Sequence, residues 1–298
     1  MGTSVRVELW SEDRAAGEAA IAAVMDRMHH IDETMSHCKP GSELMQINRA
    51  ASDRPVPVSR PMYDIIARSI DFSRLSDGAF DITFASVGHL YDYRRGVQPS
   101  EDQLARGRAA IGYRNLILDP HRCTIRFARP GVRIDLGGFA KGMAVDDGAA
   151  ILRGRGIHNA IVTAGGDSYI LGDRRGRPWM IGIRDPRNAE ATVAVLPLED
   201  AALSTSGDYE RYFERDGIRY HHLIDPVTGK SPCGVRSVTV VAPDGLTSEA
   251  LSKSVFVMGV NQGLRLVESL QGVDAVVVDA SGALHYSSGL LAGSQVGQ

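Results

Sequence analysis

The densest group of side chains suited to acid–base chemistry lies in two segments, Ser204–Tyr209 and His221–Gly229. The first supplies hydroxyl groups and an aspartate, and the second supplies two histidines, Asp225 and Thr228. Together they offer a general base, hydrogen-bond donors and contacts for phosphate oxygens. Adjacent histidines before a turn are nevertheless more often a surface or core pair than a catalyst, so the pair alone identifies no reaction.

Paired glycines mark two more candidate positions, each at the end of a predicted strand. In Asp135–Gly142, Gly137 and Gly138 precede a predicted helix, where free backbone N–H groups beside Lys141 would attract an anion. In Ala164–Asp167, the glycine pair would let a flat ligand lie against the backbone. Either pair is equally well explained as a tight turn, because glycine is the residue most easily placed there.

Two further polar segments, Met35–Asn48 and Ser76–Thr83, bring the candidate segments to five. We expect all five at strand ends, since loops held there commonly carry binding and catalytic residues. The chain has no Walker A sequence, no GxGxxG after its first strand and no GxSxG elbow. The nucleotide-binding and hydrolase signatures most easily recognised in a sequence are therefore missing.

The elements that must position these segments follow from hydrophobic periodicity and turn residues. Helices are predicted over 15–35, 60–76 (with Ser59 as N-cap), 101–110, 139–153 and 248–258. Strands are predicted over 4–10, 116–118, 124–127, 132–136, 160–164, 179–184, 192–198, 235–242, 275–278 and 283–286. This mixture predicts an α+β fold with mixed, largely antiparallel sheets and flanking helices. With no linker or repeat in sight, we expect one domain over residues 1–298.

Composition excludes several other classes of protein. The net charge of −3 gives no basic excess for nucleic-acid binding, and the three cysteines are too scattered for a disulfide framework or a zinc site. No apolar run is long enough to span a bilayer. The first ten residues alternate like a strand and lack the layout of a signal peptide. We expect a cytoplasmic protein, with an exported mature form left open.

Taken in order, the five segments resemble the ApbE family of FAD:protein FMN transferases over nearly the whole chain. Met1-Gly2-Thr3 is similar to the family's opening residues, and His222–Gly229 is similar to its His-x-x-Asp-Pro-x-Thr-Gly motif, the most specific single match. The resemblance implies a T-fold-like α+β architecture with FAD in a cleft between sheet-end loops. It also implies a reaction in which FMN passes from FAD to a Thr or Ser hydroxyl of a target flavoprotein and AMP leaves.

The resemblance further implies which residues form the site. His222, or Asp225 acting with it, would accept the proton of the acceptor hydroxyl. The FAD-binding residues would be Met1, Ser36, Asn48, Ala79, Phe80, Asp81, Lys141, Gly165, Gly166, Asp167, Thr205, Ser206, Gly207, Thr228 and Gly229.

The metal site is where the sequence departs from the family. The family uses Mg²⁺ to neutralise the pyrophosphate, and the matching positions here are Gly138, through its carbonyl, Glu249 and Ser252. Glu249 replaces the family's Asp, and Lys253 replaces its Thr. The ammonium group of a lysine cannot act as a ligand of Mg²⁺. Four residues apart on a helix, Glu249 and Lys253 could simply pair. FMN transfer is therefore the first hypothesis, and FAD hydrolysis to FMN and AMP, or flavin binding without catalysis, are the alternatives.

Overall fold

The helices of the computed structural model, which describes residues 2–293, mostly begin at a capping side chain. Ser59 Oγ accepts a hydrogen bond from the Met62 N–H and confirms the predicted start of the second long helix. Such caps satisfy N–H groups that have no partner within the helix. The helices are α1 (Arg14–Met35), α2 (Glu43–Ala50), α3 (Arg60–Leu75), α4 (Ala85–Gly88), α5 (Glu101–Arg108), α6 (Ala140–Gly154), α7 (Gly245–Glu268) and α8 (Ser288–Gly293).

The strands form one large sheet and three small ones. They are β1 (Val5–Leu9), β2 (Val56–Pro57), β3 (Leu116–Asp119), β4 (Thr124–Phe127), β5 (Ala160–Ala164), β6 (Asp167–Leu171), β7 (Trp179–Arg184), β8 (Thr192–Leu198), β9 (Ala201–Gly207), β10 (Tyr212–Arg215), β11 (Ile218–His221), β12 (Val235–Ala242), β13 (Asp274–Asp279) and β14 (Leu284–Tyr286). The large sheet has seven strands in the order β1-β5-β6-β9-β12-β13-β14. Every neighbouring pair is antiparallel, as the sequence predicts.

Helices α6 and α7 pack against one face of the large sheet and against each other. Their closest approach is at Gly142 and Gly245, where a Cβ on Gly142 would lie 2.3 Å from the Gly245 carbonyl oxygen. Only glycine permits this distance, since a methyl group would have to overlap the opposing backbone. The contact brings the start of α6 beside the first turns of α7, which carry Glu249 and Lys253.

The predicted strand over 132–136 is wrong, because this extended segment joins no sheet. Its backbone groups are bonded elsewhere. Asn48 exchanges two hydrogen bonds of 2.8 Å with the N–H and C=O of Ile134, and the Asp135 N–H donates to Ile82 O. A side chain thus takes the place of a neighbouring strand, which periodicity cannot reveal.

Other local predictions also require correction. The segments Met35–Asn48 and Ser76–Thr83 follow helices α1 and α3 rather than strands, and the first of them contains helix α2. Ser204–Tyr209 is not a turn but largely the end of strand β9, which is buried in mid-sheet. Its serines and threonine pair with neighbours on both sides, so a polar composition concealed a central strand.

Candidate active site

A buried group of four charged side chains, the ionic cluster, joins the start of α6, the β5–β6 turn and α7. Its members are Lys141, Asp167, Glu249 and Lys253. The Lys141 ammonium contacts Asp167 Oδ2 at 2.9 Å and Glu249 Oε1 in a short ion pair, and Lys253 Nζ lies 3.3 Å from Glu249 Oε1. Glu249 is fully buried and Asp167 nearly so. Carboxylates are seldom buried to this degree unless they are paired, and here each has a lysine.

Lys141 has no hydrogen-bonding capacity left for a ligand. An ammonium carries three donors, and those of Lys141 reach Asp167, Glu249 and, at 3.2 Å, the carbonyl oxygen of Gly137. The two carboxylates raise the pKa of Lys141 above its usual range against the opposing effect of burial, which is the largest single influence. Lys141 is therefore a permanent cation held by the protein's own acids.

The predicted anion site at the start of α6 is occupied by a side chain of the protein. Glu249 Oε2 accepts a hydrogen bond of 2.7 Å from the Gly142 N–H, while the Phe139 and Ala140 N–H groups donate to Leu136 O. A carboxylate at a helix N-terminus is favoured by both the free N–H groups and the helix dipole. The sequence predicted a site for a ligand anion here, but the carboxylate of Glu249 occupies this position.

Among the residues that the structure describes, Lys253 differs from Lys141 in having one N–H donor without a partner. Its Nζ donates to the backbone oxygen of Glu249 at 3.2 Å and to Glu249 Oε1 at 3.3 Å. Its methylenes lie over the glycine turn, since a Cβ on Gly138 would be 2.7 Å from Lys253 Cε. Burial, opposed by Glu249, lowers the pKa of Lys253. The predicted Glu249–Lys253 pair is confirmed, yet the lysine lies over the Gly138 turn instead of extending into solvent.

Three serine hydroxyls extend the cluster along the sheet. Ser204 Oγ donates to Asp167 Oδ1 at 2.5 Å and lies 3.1 Å from Ser252 Oγ, which lies 2.9 Å from Ser206 Oγ. Ser252 Oγ also donates to Glu249 O at 3.0 Å. These hydroxyls satisfy one another inside the protein, and Thr205, on the opposite face of β9, bonds to Thr239 Oγ1 at 2.9 Å.

His222 follows strand β11 and carries a buried ring nitrogen without a partner. Among the described residues, nothing forms a hydrogen bond with its Nδ1. Burial lowers its pKa to about 3, with further lowering by the charges of His221, Arg211, Lys253 and Lys141. His222 is therefore neutral at neutral pH and faces several cations. An unsatisfied buried nitrogen costs about 1–3 kcal/mol. Tyr93, Trp179 and the adjacent His221 each carry such an atom as well, so His222 is distinguished by the cations whose charges act on it.

Asp225 is engaged by its own turn. Its Oδ1 accepts from the Val227 N–H at 2.9 Å, and its Oδ2 accepts from Thr228 Oγ1 at 2.8 Å. The Gly229 N–H closes the turn onto Asp225 O, and Gly229 O accepts from the Tyr91 hydroxyl at 3.0 Å. No hydrogen bond joins Asp225 to His222 in the described part of the chain, so Asp225 shapes the turn that follows the histidine.

Several predicted FAD-binding residues make contacts within the fold itself. The side chain of Asn48 forms its hydrogen bonds with the backbone of Ile134. Buried Asp81 accepts hydrogen bonds from Thr83 N, Thr83 Oγ1 and Tyr113 N. Burial raises the pKa of Asp81 despite these bonds. The Phe80 ring lies 5.2 Å from the Phe139 ring, directly before α6. The backbone N–H of Ala79 donates to Ser76 O. Asn48 and Phe80 thus hold the 134–142 segment in place, whereas Asp81 and Ala79 stabilise the loop around residues 76–83. A role of these residues in contacting FAD stays a prediction.

The glycine pair at residues 165 and 166 accommodates the protein's own backbone. Gly165 has φ +65°, and a Cβ there would lie 2.5 Å from Thr3 Oγ1; a Cβ on Gly166 would lie 2.8 Å from Thr205 O. Tight packing within the fold already requires both glycines. Gly207 likewise lies against the Tyr209 ring. Met1 falls outside the described residues.

Arg211 escaped the sequence analysis, and His37, which lies in the candidate segment Met35–Asn48, was given no role there. His37 Nδ1 lies 3.3 Å from Asp135 Oδ1, and this hydrogen bond raises the pKa of His37. Neighbouring Ser36 caps the Cys38 N–H at the end of α1. Arg211 lies near the start of the β10–β11 hairpin, and its carbonyl oxygen accepts a hydrogen bond from the His222 N–H. The charge of its side chain acts to lower the pKa of both His37 and His222. The hairpin pairing that brings Arg211 back to His222 leaves no motif in the sequence.

The donors available do not suit a divalent cation at Gly138, Glu249 and Ser252. Glu249 is the sole carboxylate of the three, and both of its oxygens are taken, by Lys141 and Lys253 on one side and Gly142 N–H on the other. Ser252 Oγ is committed to its serine network. Among residues 2–293, no three His, Cys, Asp or Glu side chains are grouped as a metal site. A hard cation would need carboxylate oxygens that the lysines now hold.

Comparison with known proteins gives one consistent match. The model of the ApbE family matches residues 1–277. FAD:protein FMN transferases from Treponema pallidum and Vibrio cholerae are each 32% identical, over 98% and 91% of this chain and 86% and 83% of their own lengths. Crystal structures of the ApbE protein of Thermotoga maritima and of the flavin transferase ApbE of V. cholerae superpose with TM-scores of 0.91 and 0.85. Their identities are 35% and 30%, over 98% of this chain and 96% of each of theirs.

Proposed function

The chain belongs to the ApbE family, and we propose that it is an FAD:protein FMN transferase. In this reaction FAD is the substrate, a hydroxyl of a target flavoprotein is the acceptor, and AMP leaves. We further propose that the acceptor is a Thr or Ser side chain, and that residues 1–298 act as one catalytic domain. None of the described helices has the length and apolar character needed to cross a membrane.

The observation that carries the proposal is His222, a neutral histidine with an unpartnered nitrogen that faces fixed cations. A general base must be unprotonated and free to accept a proton, and His222 satisfies both conditions. The cations that lower its pKa are suited to a pyrophosphate. Burial is the largest cause of the low pKa of His222, so an anion bound beside these cations would offset only the smaller electrostatic part and raise the pKa by that part.

The transfer step can then be written on the residues of this chain. The acceptor hydroxyl oxygen bonds to the phosphorus on the FMN side of the pyrophosphate, and its proton passes to His222. The bond from that phosphorus to the bridging oxygen breaks, and its electron pair leaves with AMP. Positive charge near the phosphates stabilises the charge that develops on the departing oxygen.

Magnesium enters no step of this proposal. The family resemblance implies Mg²⁺ at Gly138, Glu249 and Ser252, but the ion pairs of Glu249 with Lys141 and Lys253 do not fit that assignment. Ordinary Mg²⁺ carried in solution by the nucleotide itself remains compatible with the mechanism.

A calorimetric titration with FAD, FMN and AMP tests the binding part of the proposal. We expect FAD to bind more tightly than either half, because cations beside the cleft and the loops around it serve both ends of a dinucleotide. Equal affinity for FAD and FMN would argue for a flavin carrier that does not use the pyrophosphate. The failure of all three ligands to bind would remove the basis of the proposal.

A further inference from the structure

The ionic cluster is electrically balanced without any added ion. Lys141 and Lys253 contribute two positive charges, and Asp167 and Glu249 contribute two negative charges, all within one network of contacts. Their side chains are at most 18% exposed. Adding a divalent cation would leave two uncompensated positive charges in this buried position, which is costly in a poorly solvated interior. An anion bound beside Lys253 avoids this cost if it remains in contact with solvent.

The two lysines differ in how many of their N–H donors are used within the cluster. Lys141 has all three donors occupied and binds the carboxylates together. Lys253 uses two of its three donors, both on Glu249, and is 17% exposed. Within residues 2–293 the third N–H group of Lys253 has no partner, so it is available to an oxygen atom of a ligand bound over the Gly138 turn.

The position of Lys253 relates this spare donor to the reacting group. The side chain crosses the turn at Gly138, and its charge acts on His222 together with those of Arg211 and Lys141. The base that we assign to the acceptor hydroxyl thus lies within the field of Lys253. A pyrophosphate that binds over the Gly138 turn, which the Lys253 side chain crosses, would contact this ammonium directly.

We propose that Lys253 supplies the positive charge that a divalent cation would otherwise bring to the FAD pyrophosphate. The proposal rests on the proposed function of FMN transfer. As the acceptor oxygen bonds to the FMN phosphorus and its proton moves to His222, the bond to the bridging oxygen breaks. Lys253 donates a hydrogen bond to the oxygen that departs with AMP. The ammonium keeps its proton throughout, so no metal or additional reactant enters the balance.

Metal binding gives a readout that is independent of activity. The metal-free full chain is titrated with Mn²⁺ in the absence of nucleotide, and bound Mn²⁺ is followed by electron paramagnetic resonance. We expect no saturable site below about 1 mM for the wild-type chain. In Lys253→Thr the cluster loses one positive charge, so we expect one Mn²⁺ site at least about tenfold tighter. One tight Mn²⁺ site in the wild-type chain would overturn the proposal.

Two variants control for charge and fold. Arg265→Thr removes an exposed cation from the helical segment that follows the break in α7 at Gly259 (φ 77°), and its Mn²⁺ binding should equal that of the wild-type chain. Lys253→Arg keeps the charge and should also bind no Mn²⁺. Circular dichroism melting identifies any variant that fails to fold, in which case the wild-type and Lys253→Arg titrations still decide the question.

Transfer in the presence of chelator completes the test. With FAD and a flavoprotein acceptor, we expect EDTA to change the wild-type rate by less than about threefold and to slow Lys253→Thr by more than tenfold, with recovery on adding Mg²⁺. A wild-type rate that EDTA abolishes and Mg²⁺ restores would contradict the role of Lys253. The absence of transfer under every condition would overturn the proposed function instead. The Mn²⁺ titration would still test separately whether Lys253 takes the place of a divalent cation.

Discussion

The ionic cluster and the segment from His222 to Gly229 differ in whether their buried polar groups have partners. In the cluster, every buried charge is paired, and the partners come from β6, α6 and α7, far apart in the sequence. In the second segment, Asp225 and Thr228 bond to each other within one turn, and the Nδ1 of His222 has no partner. A complete set of contacts indicates a structural and electrostatic role, whereas an incomplete one indicates a group held ready for a ligand.

This difference predicts that the most damaging change for activity is at the group with the fewest contacts. His222→Ala removes one unsatisfied nitrogen and should leave the melting temperature within a few degrees of wild type. It should slow FMN transfer by about 10²–10⁴-fold, the usual contribution of a general base. The rate is measured as covalent flavin formed on an acceptor protein. A variant that transfers FMN at the wild-type rate would show that His222 is not the base.

The reverse is expected for Lys141, the group with the most contacts. Lys141→Met leaves Asp167 and Glu249 buried with Lys253 as their remaining cation, and should lower the free energy of unfolding by about 3–5 kcal/mol. Urea denaturation at neutral pH measures this. Lys230→Met is the matched control, because Lys230 forms an exposed ion pair with Glu101 and should cost less than about 1 kcal/mol. Equal effects of the two changes would mean that burial of the cluster contributes little.

A carboxylate without a cation sharpens the same comparison. Asp146 in α6 accepts hydrogen bonds from the N–H groups of Gly245 (2.6 Å) and Leu246 (3.1 Å), yet burial, with Asp244 and Asp147 nearby, raises its pKa to about 7. Since the pKa in the folded state is the higher one, the stabilising contribution is complete below about pH 4 and is lost as the pH rises through 7.

Replacing this group tests the sign of that dependence. Asp146→Asn should remove a decrease of roughly 1–3 kcal/mol in the free energy of unfolding between pH 5 and pH 8. Urea denaturation at the two pH values measures it. Asp147→Asn removes the neighbouring carboxylate, which pairs with Arg27, and should keep most of the pH dependence, because burial and not Asp147 is the largest cause of the raised pKa of Asp146. If Asp146→Asn keeps it as well, the Asp146 carboxyl is ionised throughout this range.

The smallest effect on the rate is expected at Asp225, despite its place in the most specific motif. Asp225→Asn keeps an acceptor for the Val227 N–H and weakens the bond from Thr228. Transfer should therefore fall by less than about tenfold, through a looser turn behind His222. A decrease as large as that of His222→Ala would mean that Asp225 takes part directly in proton transfer, as the family resemblance first suggested.

Local patterns predicted the long elements well. The spacing of apolar residues in α1 and α3, the cap at Ser59 and the hairpin of β7 and β8 all appear in the structure. Each depends on neighbours in the sequence, through helical periodicity or a short connection. The antiparallel character of the main sheet followed from the frequency of such hairpins.

The site was less predictable because its decisive contacts are non-local. Glu249 fills the helix start that the sequence offered to a substrate anion, and Lys141 lies 108 positions away from it in the chain. Asn48 replaces a strand partner for Ile134 across 86 positions. The residue types at the site were recognised from the sequence, but whether each was free or already bonded depended on packing that no local pattern encodes.

The most direct test of FMN transfer follows both products in one reaction. The chain is incubated with FAD and a flavoprotein that carries an acceptor Thr or Ser, and AMP is measured by chromatography while the acceptor is weighed by mass spectrometry. We expect one AMP for each acceptor that gains the mass of an FMN phosphoester, and little AMP without acceptor. AMP released without covalent flavin would contradict transfer and identify FAD hydrolysis. The absence of both products would favour the remaining alternative, flavin binding without catalysis.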